Sequence, residues 1–209
     1  MIACWPGLSL ARKALSKTDS GLLLVLLTGL FRDNERFGGH VGFEIRKWQE
    51  SDQVACREGF LASYQPLIDQ CPEDYRPIVR AVLSAASELA FTDIASYLGG
   101  YDRTAAWIAE SEGELAGYVD TWSVNDSTAR LGNIFVLPGY RRQGLANRLL
   151  FTAEGYAKTL SADRLILYSP HPLVEAHQLY LQSGFRVTET QASEARREIV
   201  TLVFETTLS

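Results

Sequence analysis

The sequence predicts an α/β fold, in which a mixed sheet is flanked by helices. Residues 105–137 contain three short strand-like runs separated by polar turns, which is typical of an antiparallel meander. Residues 145–160 then change to a helical spacing, and a strand, a second helix and two strands follow. A length of 209 residues, 46% hydrophobic and 22% charged, suits one domain with a short appendage.

The extension before the domain is assigned to residues 1–42. Basic residues there precede an apolar run from Gly21 to Phe31, as in a signal peptide. The run is shorter than the about 20 residues of a membrane-spanning helix, and no small-residue cleavage site follows it. We expect a packed or loosely ordered extension; an over-extended start codon and a secretory signal are the alternatives.

The domain is expected to span residues 43–209 and to begin with a strand. Phe43 to Trp48 alternates apolar and charged side chains, the pattern of a half-buried strand. Asp52 is expected to cap a helix. Residues 60–68 are apolar enough to pack, and Pro66 should limit their regularity.

Helix and meander follow this first strand. A helix is predicted from Pro77 toward Tyr97, because its apolar residues form one stripe. The meander strands are predicted at 105–110, 115–122 and 129–137. The proline after the third strand ends the pairing, since proline has no amide hydrogen for a ladder.

The last elements alternate between helix and strand. The apolar residues of 145–160 lie on one helical face. A short strand at 164–168 and a helix at 174–182 come next, and strands at 185–188 and 198–206 complete the domain.

Charge and cysteine content exclude several classes of function. The chain has 20 lysines and arginines against 25 aspartates and glutamates, a net charge of −5, whereas a general nucleic-acid-binding protein needs a basic face. Cys4, Cys56 and Cys71 form no Cys-x-x-Cys pair, so neither a disulfide framework nor a zinc site is predicted. No histidines and carboxylates have metal-ligand spacing either. We expect no metal and a reducing compartment.

The most informative segment is residues 134–148, IFVLPGYRRQGLANR. A strand ends at proline, a basic loop containing Gly144 follows, and a helix begins. Free amides at a helix start point outward, and the helix dipole favours an anion there. Gly144 and Ala146 keep side-chain bulk away from such an anion. The segment therefore indicates a diphosphate site, with an ordinary loop as the alternative; three arginines add positive charge: Arg141, Arg142 and Arg148.

This segment resembles the acyl-CoA pyrophosphate motif of the GNAT superfamily of N-acetyltransferases, Arg/Gln-x-x-Gly-x-Gly/Ala, through Arg141, Gly144 and Ala146. Residues 176–185, AHQLYLQSGF, are similar to the second hallmark of that family. Both motifs stand in the family's order. The resemblance implies a GNAT fold over residues 43–209, with a mixed, mostly antiparallel sheet that splays between the strands before and after the CoA-binding helix.

The resemblance also implies an activity: transfer of the acetyl group of acetyl-CoA directly to a primary amine of a small molecule or protein. Tyr180 matches the tyrosine that protonates the departing thiolate, with a core aromatic as the alternative. The backbone expected to bind the pantetheine arm is that of Ile134, Phe135 and Val136. The pyrophosphate would lie beside Arg141, on the amides of Arg142, Gln143, Gly144, Leu145, Ala146 and Asn147.

Two positions depart from the family pattern. Tyr168 stands where many peptide-acetylating relatives carry a glutamate base, and Leu173 where many carry an asparagine that contacts CoA. The usual base is therefore absent. The candidate bases that remain, each also suited to a structural role, are Asp120, Asp126 and His171.

A catalytically silent acyl-CoA-binding or sensing module of the same fold is the second hypothesis, because the usual base is missing. A secreted or membrane-attached protein is a third, which rests on the apolar run alone and conflicts with an intracellular donor. We expect a cytoplasmic enzyme, monomeric or homodimeric, with an amine substrate and neither nucleic acid nor membrane as a partner. The acceptor is not readable from the sequence.

Overall fold

The computed structural model describes residues 42–71, 73–170, 173–192 and 200–208. Within these ranges one sheet carries helices on both of its faces. The strands are β1 (Glu44–Lys47), β2 (Ala105–Ser111), β3 (Glu114–Asn125), β4 (Thr128–Val136), β5 (Arg164–Pro170), β6 (Arg186–Ala192) and β7 (Val200–Thr207). The helices are α1 (Gln53–Gln70), α2 (Arg76–Phe91), α3 (Ile94–Gly99), α4 (Leu145–Thr159) and α5 (Val174–Gln182).

The strands lie in the order β1-β2-β3-β4-β5-β7-β6. Every neighbouring pair is antiparallel except β4 and β5, which are parallel and joined through α4. The mixed, mostly antiparallel sheet and the order of its elements confirm the prediction.

The parallel pair at the centre of the sheet is short. β4 and β5 pair only through Thr128–Arg130 and Arg164–Ile166. Beyond these residues β4 continues on β3, and β5 continues on β7. The two strands therefore diverge, as predicted, and leave a cleft in the middle of the sheet.

The core has two parts, one on each face of the sheet. α4 and α5 cover one face, where Leu145, Leu149 and Ala153 of the predicted helical stripe are buried against the strands. The helices α1, α2 and α3 cover the other face, where Phe60 and Phe91 pack against the meander. The cleft between β4 and β5 thus has helices on both faces of the sheet.

The first half of the domain differs from the prediction in three details. The single helix predicted from Pro77 is two, because Asp93 accepts a hydrogen bond from the Ser96 amide (2.9 Å) and starts α3. Pro66 lies inside α1 without ending it. Asp52 precedes α1, but its carboxylate binds the Arg46 guanidinium (2.8 Å) and the Gln49 amide instead of capping that helix.

The extension lies almost wholly outside the described residues, so the apolar run from Gly21 to Phe31 does too. In the part of the chain from residue 42 that the structure describes, no helix combines the length and the apolar character needed to cross a bilayer. The domain boundary at residue 43 stays a prediction.

A bulge in β4 shapes the cleft. Val119 faces Ile134 and Thr121 faces Leu131 across the ladder, so Asp120 alone stands opposite two residues of β4, Gly132 and Asn133. The extra residue reverses the alternation of the strand. As a result, Phe135 packs on the side of α1, while Ile134 and Val136 pack on the side of α4.

Gly132 makes this bulge sterically possible. A Cβ atom added there would lie 2.2 Å from Asp120 Oδ1 and 2.2 Å from the Trp122 ring, closer than any real contact. Both side chains are buried, so neither has room to move away.

We therefore expect Gly132→Ala to lower the free energy of unfolding by about 1–3 kcal/mol, the usual cost of overpacking. Urea unfolding measures it. Gly155→Ala is the matched control, because Gly155 lies in α4 with open space where a Cβ would stand; it should be neutral or slightly stabilising. Equal stability of the two variants would contradict this account of the bulge.

Candidate active site

The turn between β4 and α4 lies at one end of the cleft. Pro138–Tyr140 form a short 3-10 turn, and the chain then passes through two left-handed residues, Arg142 (φ 62°) and Gly144 (φ 79°). Gly144 is the N-cap of α4 and has no side chain with which to cap it. The amides at the start of α4 are thus left to bind something else.

These amides stand where the sequence predicts an anion site. The first backbone bond of the helix runs from the Arg148 amide to the Gly144 carbonyl, at 3.2 Å. The amides of residues 145–147 precede that bond, so they point out of the helix end, where the helix dipole favours an anion. The exposed Arg142 stands beside them. The geometry suits a diphosphate held by backbone.

Arg141 fixes this turn to the rest of the domain. Its Nε donates to the Val136 carbonyl at 3.2 Å, and its guanidinium also donates to the Ser63 carbonyl of α1. Burial lowers the pKa of Arg141, and nearby Glu175 partly offsets this. The side chain therefore positions the turn, although the sequence suggested it as added charge for a diphosphate. Arg148 likewise donates to a protein carbonyl, that of Phe43, at 2.9 Å.

The edge of β4 that faces the cleft runs through Ile134, Phe135 and Val136, as the sequence predicts. These residues pair with β3 on one side and lie past the last pair with β5 on the other. Phe135 stacks on the Tyr118 ring at 5.7 Å and anchors the strand. The backbone beside it is left as an open strand edge, which an extended amide-containing chain can pair with.

Tyr180 lies on α5 with only 5% of its surface exposed. Its ring packs on Phe204 at 5.3 Å and on Phe185 at 6.1 Å. Burial raises the pKa of Tyr180, and Tyr64 adds to the shift. The phenol therefore keeps its proton at neutral pH, as a proton donor must. Its ring is also a core side chain, so both predicted roles of Tyr180 are compatible with the structure.

Tyr64 is a site residue that the sequence reasoning missed. It lies on α1, one helical turn after Phe60, and its ring contacts Phe60 at 4.9 Å. Burial raises the pKa of Tyr64 to about 12, and Arg141 opposes the shift. The two tyrosines interact electrostatically, although α1 and α5 cover opposite faces of the sheet. The i, i+4 aromatic pair of α1 is a sequence signal for it.

Asp120 lies beneath the bulge and is completely buried. Its carboxylate accepts hydrogen bonds from the Tyr118 hydroxyl (2.9 Å), the Asn133 amide (2.8 Å) and Asn133 Nδ2 (3.1 Å). Burial raises the pKa of Asp120 from 3.8 to about 6. Asp120 thus holds the bulge in place, and it has no surface with which to touch an acceptor.

Of the other two candidate bases, the structure describes only Asp126, which lies outside the cleft. Asp126 lies at the exposed turn between β3 and β4, with Arg103 at 3.8 Å. His171 lies outside the described residues. The described residues also contain no group of three or more side chains suited to hold a metal ion.

The two positions that depart from the family pattern have structural roles. Tyr168 lies on β5, 36% exposed, and the Arg130 guanidinium carbon lies 4.2 Å from the centre of its ring. Leu173 is the N-cap of α5, and its carbonyl accepts from the His177 amide. Ser169 Oγ lies 3.1 Å from His177 Nε2.

Comparison with known proteins gives one consistent result. Residues 68–185, more than half of the chain, match the Acetyltransferase (GNAT) family. N-acetyltransferase 8 from Homo sapiens is 34% identical over 87 residues, 39% of this chain and 38% of that protein. The uncharacterized N-acetyltransferase YhfO from Bacillus subtilis (strain 168) is 34% identical over 83 residues, 37% of this chain and 56% of that protein. The aligned segments thus span about half or less of these relatives.

The fold has solved counterparts as well. The PaiA N-acetyltransferase from Thermoplasma acidophilum, crystallised in complex with coenzyme A, superposes with a TM-score of 0.64 at 20% identity. The match covers 79% of this chain and 99% of that one. At this level of identity the likeness concerns the fold.

The burial of Asp120 predicts a pH-dependent stability. Its pKa is raised in the folded state, so its protonated form is favoured by folding, and the stability that it contributes falls as the pH rises from about 4 to about 6. The rise in the pKa of Asp120 from 3.8 to about 6 corresponds to about 3 kcal/mol. We expect the free energy of unfolding of Asp120→Asn, relative to wild type, to rise by up to that amount between pH 4 and pH 7.

Urea unfolding of both proteins across this range measures the difference. Asp126→Asn is the control, because Asp126 is exposed. A constant difference between Asp120→Asn and wild type across the range would show that Asp120 ionises as freely in the folded chain as in the unfolded one.

Proposed function

Because this chain belongs to the GNAT family of acetyltransferases, we propose that it is an N-acetyltransferase that passes the acetyl group of acetyl-CoA directly to a primary amine. One observation carries the proposal: the open edge of β4 leads through one short turn to the uncapped start of α4. A strand edge followed by a group of free amides suits a ligand that has an amide-containing arm and a diphosphate. Acetyl-CoA is such a ligand.

The donor would lie along the cleft. Ile134, Phe135 and Val136 offer backbone groups to the pantetheine arm, and the amides of residues 142–147 surround the diphosphate. Phe135 and Arg141 keep these two parts in register, since one anchors the strand and the other the turn. Hydrogen-bond donors on the backbone of β4 can also stabilise the negative charge that develops on the thioester oxygen.

Tyr180 supplies the proton for the leaving group. The amine nitrogen forms a bond to the acetyl carbon, the carbon–sulfur bond breaks, and the electron pair leaves on sulfur. The Tyr180 hydroxyl is protonated at neutral pH, since the pKa of even an unshifted tyrosine is near 10, and is therefore available when the thiolate forms. The proton lost by the amine goes to solvent, because the described cleft brings no candidate base to the acceptor. An amine of pKa near 8 then reacts more readily than one near 10.

The setting of the reaction is also a proposal. Cys56 and Cys71 are free and buried, which suits a reducing compartment. A cytoplasmic enzyme, with an intracellular donor and an amine as its acceptor, fits these observations. We propose that it acts as a monomer or homodimer, without nucleic acid or membrane as a partner.

A panel of primary amines, mixed with the protein, acetyl-CoA and a thiol reagent, tests the proposal. Release of CoA above the hydrolysis background supports an enzyme. Binding of acetyl-CoA without release across the panel would instead support the acyl-CoA-sensing module.

The anion site predicts the effect of Gly144→Glu. A carboxylate at the helix start would repel the diphosphate, and we expect acetyl-CoA binding to fall below detection in calorimetry. Gly144→Ala controls for the left-handed backbone (φ 79°), and Gly155→Glu places the same charge on an exposed part of α4. Unchanged affinity of the Gly144→Glu variant would move the diphosphate elsewhere.

Tyr180→Phe tests the proton donor. We expect kcat to fall about 10-fold to 10⁴-fold, the range of general acid catalysis with partial rescue by water, while acetyl-CoA affinity and thermal stability change little. Phenylalanine retains the packing on Phe204. Tyr156→Phe is the control, because Tyr156 lies on α4 away from the cleft, where its ring contacts Trp107 of β2. A kcat equal to wild type, with chemistry limiting, would leave Tyr180 as a core residue only.

A further inference from the structure

Arg130 is held between aromatic rings at the point where β4 and β5 part. Its guanidinium carbon lies 4.2 Å from the centre of the Tyr168 ring and 5.3 Å from that of Trp122. Trp122 is 4% exposed and is stacked in turn on Tyr101, at 4.2 Å. Contacts with two rings restrict the position of the planar group.

The donors of Arg130 are not matched by a carboxylate. Among the residues that the structure describes, Nε of Arg130 is buried without a hydrogen-bond partner. The nearest acidic group in the same row across the sheet is Glu205, two strands away. Glu205 is shared by Arg164 and Arg186, each at 3.6 Å. Asp120, on the same face, is close enough for Arg130 to lower its pKa, but its hydrogen bonds come from Tyr118 and Asn133.

Arg130 also stands at the start of the cleft. It is the last residue of β4 that pairs with β5, and the bulge begins two residues later. The Trp122 ring that it contacts fills the space beneath Gly132. Arg130 lies on the face covered by α1, α2 and α3, because it stands directly opposite Trp122 in the ladder. The helix α3 reaches this place through Tyr97, which contacts Trp122 at 6.3 Å.

We propose that Arg130 binds a carboxylate of the acceptor, so that the amine acetylated by this protein belongs to an amino acid or another small amino carboxylate. A guanidinium is planar and offers two parallel N–H donors, which a carboxylate accepts as a pair; here two rings restrict its position. The inference rests on the proposed acetyltransferase function and assigns the substrate class of that same site. Tyr168, at the position where relatives often carry a glutamate, is one of the two rings that hold the Arg130 guanidinium here.

The experiment compares acceptors that differ only by the carboxylate. The pairs are alanine with ethylamine, leucine with 3-methylbutylamine, and phenylalanine with phenethylamine, each assayed for CoA release at one pH. A further pair, phosphoethanolamine with ethanolamine, tests whether a phosphate is recognised instead of a carboxylate. We expect wild type to favour the amino acid of each pair. Arg130→Met should raise KM for amino acids about 10-fold to 100-fold, with little change for the plain amines.

Arg130→Lys and Arg186→Met complete the set. Lysine keeps the charge and loses the paired donors, so it should recover only part of the preference. Arg186 pairs with Glu205 at the other edge of the sheet, and its variant should behave as wild type. Acetyl-CoA affinity and thermal unfolding of each variant show that the fold and the donor site are intact.

Several results would overturn the inference while leaving the proposed enzyme in place. They are equal use of amino acids and plain amines by wild type, a preference for amino acids that survives in Arg130→Met, and a preference for phosphoethanolamine over the amino acids. If no amine releases CoA, the proposed activity fails and binding decides the inference. Calorimetry with CoA present then compares N-acetylleucine with N-(3-methylbutyl)acetamide. Binding of the carboxylate ligand that Arg130→Met abolishes supports it; no binding, or equal binding, refutes it.

Discussion

The early parting of β4 and β5 is the constraint on which the rest of this structure depends. Parallel neighbours in a sheet normally satisfy each other's backbone groups along their length, but here only three residues of each strand pair. The remaining edges are separated in the middle of the domain, between two layers of helices. This produces an open strand edge inside a folded protein, and the diphosphate turn, both tyrosines and Arg130 are all placed relative to it.

The sequence predicted the elements that depend on local pattern. Short apolar runs between polar turns located the meander, and the helical stripe at 145–160 located α4. The turn at Gly144 could be located because proline and a basic loop precede the glycine at the helix start; its use as a diphosphate site stays a prediction. The break between α2 and α3 was missed, since it depends on one hydrogen bond from the Ser96 amide to Asp93, whereas apolar spacing continues across it.

Long-range contacts set the part of the site that the sequence could not supply. Nothing near Arg141 in the chain indicates that its guanidinium reaches the Ser63 carbonyl on α1. The burial of Asp120 depends on a bulge in the neighbouring strand. The contacts of Arg130 with Trp122 and Tyr168 join the three strands β4, β3 and β5. Asp120 was a candidate base by residue type, and only its three hydrogen bonds show that it maintains the backbone of β4.

The contact of Arg141 with α1 has a thermodynamic consequence. Arg141 joins the turn before α4 to the carbonyl of Ser63 on α1, and the next residue, Tyr64, interacts electrostatically with Tyr180 of α5. A ligand that displaces α1 must therefore strain the turn, and a ligand that tightens the turn must restrain α1. Occupancy at one end of the cleft then carries a coupling free energy to the other, and linkage requires that coupling to be reciprocal. Under the proposed function, donor and acceptor would therefore not bind independently.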